Sequence, residues 1–415
     1  MKYQAPRGTH DILPRDSLTW AHLESSFRNL VGLYGYNELR TPTFEDTELF
    51  TRSSGETSDI VTKQMYDFAD KGGRSITLKA EGTAPAVRAY LEHGLGGQGQ
   101  VTRLWYTTPV FRYERPQKGR YREHHQFGVE CLGSASPLAD AEVIEIAYRF
   151  LTTIQMPDVS VSLNSIGRAA TRAAYREAIL GHASAYLTEM GAEDRLRIEK
   201  NPLRLLDSKD PKAIDLMKTA PSIQDFLEDE SRSRFASLCQ ALSDLGIPFE
   251  IRPEIVRGLD YYTDTVFEVL SHHLGAQSAL CGGGRYDRLV QDLGGPDTPA
   301  IGFGMGIERL FLVLESLDKL QEAPRIVAFV VAADEIARPM VQRICHDLRN
   351  AKISAQCDLE GKDMRRQLKQ ANALNAEIAV LVGEEELSKR FATIRDLATG
   401  EQRALPFDRL VEELQ

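Results

Sequence analysis

Seven short strand-like runs constrain what this chain can fold into more than any other feature. They fall at 75–79 (SITLK), 101–113 (VTRLWYTTPVFRY), 126–132 (QFGVECL), 159–163, 249–256, 262–270 and 277–282, and are rich in β-branched and aromatic residues. Few helices separate the later ones. Parallel neighbours need a crossover of a dozen residues or more, usually helical, so a largely antiparallel sheet is expected. Ahead of the runs, Trp20, Leu23, Phe27, Leu30, Val31 and Tyr34 recur at helical spacing, which predicts an amphipathic helix over 17–34 ended by Gly35.

Two changes of texture divide the rest. AATRAAYREAILGHASAYLTEM and the residues after it are rich in Ala, Leu, Arg and Glu, broken by Pro202, Pro211 and Pro221, and predict a helical insertion over 166–240. After LDKLQEAPR, IVAFVVAAD reads as a buried strand, EIARPMVQRICHDLRNA as a helix, ISAQCDL as a strand, DMRRQLKQANAL as a helix and EIAVLVG as a strand. That alternation implies a small α/β domain with a parallel sheet. The organisation expected is a core in two parts, 1–165 and 241–322, with the insertion 166–240 between them and a separate domain at 325–415.

At 415 residues the chain exceeds one ordinary hydrophobic core. It has no run of 18 apolar residues, so no membrane span is expected, and its first residues lack the apolar centre of a secretory signal. Cys131, Cys239, Cys281, Cys345 and Cys357 are odd in number and show no CxxC spacing, which fits reduced thiols and a cytoplasmic location. The net charge of −10 does not exclude nucleic acid, because a local field decides binding. Residues 112–122 hold Arg112, Arg115, Lys118, Arg120 and Arg122 against Glu114 alone.

Five segments could carry chemistry. In WYTTPVFRYERPQKGRYREHHQFGVECLG, Arg112 ends a strand, and Gln126, Gly128 and Glu130 share one face of the next. A half-buried carboxylate such as Glu130 needs a partner, either a structural cation or a substrate N–H. In LCGGGRYDRLVQDLGG three glycines beside a strand permit close approach of backbone or ligand, or make a loose turn. AIGFGMGIERLFLVLESL puts Arg309 in the first turn of a helix, where a cation opposes the dipole unless an anion or π-face stands near. LKAEGTAPAVRAYLEHGL sets Glu81, Gly82 and Thr83 ahead of a helix, and IVRGLDYYTDTVFEV sets Arg257, Tyr261 and Tyr262 ahead of a strand. The GxGxG spacing at 302–306 is not the dinucleotide GxGxxG, and no GxxxxGK[ST] loop occurs. The pairs His124-His125 and His272-His273 could suggest a metal-dependent hydrolase, but strand neighbours point to opposite faces and no third ligand is spaced to join them. Guanidiniums, carboxylates and phenols without a nucleophile–base pair suit phosphoryl or nucleotidyl transfer, in which positioning and charge neutralisation do most of the catalysis.

Over its whole length the chain resembles the histidyl-tRNA synthetase family, class II aminoacyl-tRNA synthetases. RGTHDILP at 7–14 resembles the family's N-terminal signature, the helix and strand through Pro42 motif 1, FRYERPQKGRYREHHQ motif 2 and GFGMGIERL motif 3. RGLDYYTDTVFEV and LCGGGRYDRLV resemble the two peptides of the histidine-specific members. The resemblance implies an α+β catalytic core built on an antiparallel sheet, a helical insertion and a C-terminal α/β anticodon-binding domain. It implies a homodimer joined through motif 1, with L-histidine, ATP, Mg2+ and histidine tRNA as ligands. Arg257 and Arg112 are then the catalytic pair on the α-phosphate, and Arg120 and Arg309 bind ATP. Glu130 and Tyr262 hold the imidazole, Tyr261 and Tyr286 line its pocket, Glu81, Gly82, Thr83 and Gln126 surround the α-amino group, and Arg115 and Gln117 meet the tRNA acceptor end. No protein ligand for the metal is implied. Two positions depart from the family pattern: Lys79-Ala80 stands where Arg-Pro is common before Glu-Gly-Thr, and His124 where an aromatic is usual. The alternative from another class is the synthetase-like, histidine-sensing regulatory subunit of ATP phosphoribosyltransferase. Such paralogues lose catalytic arginines and the C-terminal domain, both of which this chain keeps.

Overall fold

The structure is a computed structural model that describes every residue except 1, 2, 56, 57, 59, 98, 99, 192–194, 196, 197, 200, 201, 207, 209, 256–260, 272, 274–278, 323 and 324. Backbone contacts separate a unit of residues 1–321 from one of 322–415.

In the first unit the strands run β1 (Asn37–Glu38), β2 (Phe44–Asp46), β3 (Tyr66–Ala69), β4 (Ser75–Leu78), β5 (Thr102–Phe111), β6 (Glu123–Leu132), β7 (Val159–Ser165), β8 (Phe249–Ile251), β9 (Thr263–Ser271), β10 (Ala279–Arg285) and β11 (Ala300–Gly306). Eight of them form one sheet in the order β1-β5-β6-β11-β10-β9-β7-β8, and β2-β4-β3 form a small antiparallel sheet. Pairing across the middle of the large sheet is antiparallel throughout; only the edge strands β1 and β8 pair in parallel. The antiparallel expectation therefore describes the sheet's body. Three details differ from the sequence reading. The run at 249–256 is a strand only as far as Ile251, and its last residue lies outside the described residues. The three glycines of 282–284 lie inside β10, and the GFGMG segment is itself the strand β11.

Apolar residues of one sheet face meet four helices. Phe127, Val129, Cys131, Phe267, Val269, Cys281, Ile301, Phe303 and Met305 are buried against the helices Pro14–Leu33, Pro137–Thr153, Asp229–Asp244 and Ile307–Ser316. The first helix has the predicted face: Trp20, Leu23, Phe27, Leu30 and Val31 are buried, with Phe27 stacked on Phe127 at 4.3 Å between ring centroids. A fully buried side chain of this size contributes about 2–3 kcal/mol, so this layer fixes the sheet. In the stretch 166–240 the regular elements among the described residues are helices, as expected. Its last helix, Asp229–Asp244, buries Phe235, Leu238 and Leu242 in this main core, while Tyr175, Ile179 and Leu187 join a second cluster on the opposite sheet face.

In the second unit, β12 (Ala328–Ala332), β13 (Ala355–Cys357), β14 (Ile378–Val382), β15 (Phe391–Asp396) and β16 (Gln402–Pro406) form a sheet ordered β13-β12-β14-β15-β16. The helices Arg338–Asn350 and Met364–Ala373 carry the two parallel crossovers. The parallel sheet expected here is found in β12, β13 and β14, and β15 and β16, which the sequence reading did not include, add an antiparallel hairpin on its edge. Among the described residues no helix is long and apolar enough to cross a membrane.

Candidate active site

Register builds the floor of the site. Glu130 faces Leu104 on one side and Gly302 on the other, and Gly302 faces Gly284. One step along, Tyr106 faces Gly128, Gly128 faces Gly304, Gly304 faces Gly282 and Gly282 faces Glu268. Directly opposed residues share a sheet face. Five glycines therefore lie on one face, while the residues between them carry the apolar core on the other. The glycines leave room that other groups occupy: a Cβ at Gly302 would overlap the Glu130 carboxylate, and one at Gly128 or Gly82 would overlap the Tyr106 ring.

At one end of this floor Glu130 is fully buried. Oε1 accepts from the Tyr106 hydroxyl at 2.8 Å, and Oε2 accepts from the Tyr286 hydroxyl. Burial pushes its carboxyl up to about 8, against the lowering effect of the Tyr286, Tyr106 and Thr83 hydroxyls. Its partners are thus phenols, and the structural ion pair that sequence allowed is not what the described residues show. Tyr261 packs against Tyr262 and Tyr286 at centroid distances of 4.8 and 5.7 Å, and all three are buried. Glu81 accepts from the backbone N–H of Thr83 at 2.6 Å and of Ala84 at 2.7 Å, so it ties down the start of the helix Thr83–Glu92. Burial raises the Glu81 carboxyl despite these bonds.

At the other end a cavity of about 370 Å³ is lined by Arg112, Arg120, Arg309, His124, Gln126, Glu114, Glu268 and Glu308, with Gly282, Gly304 and Gly306 beneath. Arg112 donates from Nε to the Ala80 carbonyl at 2.7 Å. Arg309 donates to the carbonyls of Gly119 at 3.3 Å and Ala279 at 2.5 Å. Burial, then the Arg120 guanidinium beside it, lowers the Arg309 pKa. Glu308 is occupied by His125, whose backbone N–H lies at 2.8 Å and Nδ1 at 3.0 Å. His124 is held neutral, its pKa pushed down to about 3 by burial and Arg112. Arg112 and Arg309 are held by backbone carbonyls, whereas Arg120 lies 3.8 Å from Glu114; desolvated guanidiniums on a cavity wall suit an anionic ligand.

The loop between β5 and β6 is fastened on several sides. Arg122 donates its N–H to the Gly8 carbonyl at 2.7 Å and lies 3.8 Å over the Tyr113 ring, and His10 packs on Tyr121 at 4.6 Å. Gln117 and Arg120 close a tight turn through Gly119, whose φ is +76°. Arg115 and Gln117 project from it, exposed, and do not line the cavity. Arg257 lies outside the described residues, as does His272. Among the described residues no group of three or more His, Cys, Asp or Glu side chains is placed to hold a metal ion.

Sequence reasoning missed two groups. Tyr106, in an apolar run, reads as core; only its register beside Gly128 and Glu130 marks it. Arg285 is fully buried and bonded to Asp140 (Nε to Oδ2, 3.0 Å), to Asp287 at 2.9 Å and to the carbonyls of Ser134 and Ser136 at 3.0 and 3.1 Å. Asp140 also accepts from Thr265 at 2.7 Å, so this cation clamps β9, β10 and the helix Pro137–Thr153 behind the Tyr286 segment.

Comparison with known proteins places this geometry. Residues 8–310 match the family model for histidyl-tRNA synthetase, and residues 326–415 that for an anticodon-binding domain. The chain is 46% identical over 402 residues to the histidine–tRNA ligase of a Cyanothece species, covering 97% of this chain and 94% of that one. To the histidine–tRNA ligase of Geobacillus kaustophilus it is 46% identical over 418 residues, covering 100% and 98%. Among solved structures, apo histidyl-tRNA synthetase from S. aureus superposes with a TM-score of 0.84 at 37% identity, covering 99% of each chain. A Bacillus halodurans structure described as an ATP phosphoribosyltransferase regulatory subunit/histidyl-tRNA synthetase shares the fold, with a TM-score of 0.68 at 22% identity over 92% of this chain and 99% of that one. With both family models matched in order and near-complete coverage of its relatives, this chain belongs to the histidyl-tRNA synthetase family.

Proposed function

We propose that the chain is a histidine–tRNA ligase: it joins L-histidine to ATP as histidyl-adenylate, releasing pyrophosphate, and then passes the histidyl group to the 3′ end of histidine tRNA. One observation carries the reading. A buried carboxylate held between two phenols, Glu130, stands at the end of a glycine floor that leads to a cavity lined by guanidiniums.

Histidine differs from other amino acids in a ring with two nitrogens. The Glu130 carboxylate accepts from one and the Tyr262 hydroxyl meets the other, with Tyr261 and Tyr286 as walls. Glu81, fixed by the Thr83 and Ala84 N–H groups, keeps lone pairs for the α-ammonium, which Gly82 admits and Thr83 and Gln126 share. The triphosphate fills the cavity. Arg112 and Arg257 receive charge on the α-phosphate as the histidine carboxylate oxygen attacks phosphorus and the bond to pyrophosphate breaks. Arg120 supports the nucleotide, and Arg309 meets adenine and the γ-phosphate, whose negative charge offsets the burial and the Arg120 repulsion that lower its pKa. No covalent enzyme intermediate is required. Glu114 and Glu268, both lining the cavity, offer oxygen donors that would suit a Mg2+ arriving with the nucleotide, which would offset phosphate charge there.

Arg115 and Gln117, exposed on the fastened loop, address the tRNA acceptor end, and the domain at 325–415 addresses the anticodon. The insertion 166–240 divides a core formed by 1–165 and 241–322. A homodimer joined through the first helix and β1, and a cytoplasmic location, complete the reading. The regulatory-subunit alternative finds no support, because residues 326–415 match an anticodon-binding domain and Arg112 and Arg309 are both in place. The test is exchange of labelled pyrophosphate into ATP, dependent on histidine and measured with and without tRNA. Folded protein that shows no such exchange under either condition would overturn the proposal.

A further inference from the structure

Glu130 must present its carboxylate in one plane to select an imidazole, and a carboxylate held at one oxygen can swing about its last torsion. Here both oxygens are held. Tyr286 donates to Oε2 from the histidine-specific peptide, and Tyr106 donates to Oε1 from β5, five residues ahead of the motif 2 residues that begin at Phe111. We infer that Tyr106 is a positioning residue for amino-acid selection, acting through Glu130: its hydroxyl fixes the orientation of the carboxylate that receives the imidazole N–H. The inference rests on the function proposed above and adds a residue to it.

The surroundings are built for this phenol. Tyr106 is 4% exposed, and its ring occupies the space above two glycines on separate elements, Gly128 of β6 and Gly82 before the helix Thr83–Glu92. A Cβ on either would overlap the ring. Glycine in a central strand loses side-chain packing, so it stands where another group must approach. The bland account makes Tyr106 a core aromatic. That account needs the ring but not the hydroxyl, and phenylalanine would serve equally. The titratable groups that face Glu130 are Tyr106, Tyr286, Tyr261 and Glu81, with the Thr83 hydroxyl beside them. Donors to the carboxylate favour its charged form, and Glu81 opposes it.

The experiment compares the full-length enzyme with Tyr106→Phe, Glu130→Gln and the double variant in histidine-dependent pyrophosphate exchange. Tyr106→Phe keeps the ring, and is expected to raise KM for histidine about ten- to a hundredfold, the range for a hydrogen bond to a charged group, while kcat and KM for ATP change by less than about threefold. In the Glu130→Gln background the same change is expected to add less than about twofold, because residues acting through one contact are not additive. A second measurement keeps ring packing untouched. 3-Fluorotyrosine at position 106 has a more acidic hydroxyl, so the pH midpoint of kcat/KM for histidine should fall, whereas Tyr106→Phe should raise it. An unchanged KM in Tyr106→Phe, or an equal effect with and without the Glu130 carboxylate, overturns the inference and leaves the ligase reading standing. Absence of exchange in the parent enzyme overturns both.

Discussion

Replacing Glu130 by glutamine tests the electrostatics of the empty pocket. Burial holds the Glu130 carboxyl at about 8 in place of 4.5. Below pH 4.5 the folded and unfolded chains both carry the proton, and the group has no effect on the balance. Between 4.5 and about 8 the unfolded chain gives the proton up while the folded chain keeps it, so stability falls as pH rises; above about 8 the loss is complete. That interval corresponds to about 5 kcal/mol, an upper figure for a carboxyl with 0% exposure. In a unit this large each kcal/mol moves the melting temperature by about 2 °C. Glutamine has the same shape and no charge to bury. The variant is therefore expected to melt on the order of 10 °C above the parent at about pH 9 and close to it at about pH 5. Calorimetric melting of both proteins across that range, without ligand, measures the difference. Saturating L-histidine should narrow it, because ligand binding to the folded parent restores stability by mass action. Parallel melting curves over the whole pH range would refute the reasoning, since they would mean that Glu130 is ionised in the empty pocket at no cost.

Three further outcomes are expected. Arg257→Ala should reduce pyrophosphate exchange by about 10² to 10³ while histidine affinity, measured by calorimetry, changes little; near-normal exchange would remove Arg257 from the chemistry. Arg285→Met leaves buried Asp140 with only the more distant Arg234, at 3.9 Å, among the described cations, and should destabilise the fold by about 3 kcal/mol in denaturant titration, so an unchanged midpoint would contradict the clamp described above. A chain ending at residue 321 should still form adenylate but lose most aminoacylation, with weaker and less salt-dependent tRNA binding. Equal loss of both activities would show that the second unit supports the first.

Much of this architecture was legible because strand alternation survives burial on one face. β5 and β6 lie within a few residues of the runs read from hydropathy, and the helix Thr83–Glu92 starts where Glu81, Gly82 and Thr83 announce it. Of the glycine-rich strands, β10 was legible only as far as residue 282, and β11 was not legible as a strand. β10 and β11 put glycines at alternate positions of the site face, which removes the β-branched content by which strands are recognised. The pairing of Arg285 with Asp140 joins residues 145 apart in sequence, and nothing local at either position signals the other. The hairpin Phe391–Pro406 was missed because the helix–strand alternation that marks the α/β domain stops before it. His124 shows the converse. Its place at an aromatic position was visible in the sequence, but its neutrality depends on burial beside Arg112, which only the fold supplies.

The glycine floor also sets how the sheet can drift over generations. A missense change at Gly82, Gly128, Gly284 or Gly302 can only add atoms, and the smallest addition already meets Tyr106, Tyr262 or Glu130. No conservative replacement exists at these four positions. Across the same strands, Val129, Ile301 and Phe303 face an apolar layer in which exchanges of similar volume are tolerated. Two residues adjacent in the chain thus live under opposite rules, and saturation mutagenesis across Gly128–Val129 and Gly302–Phe303 should pass from lethality to tolerance within one residue.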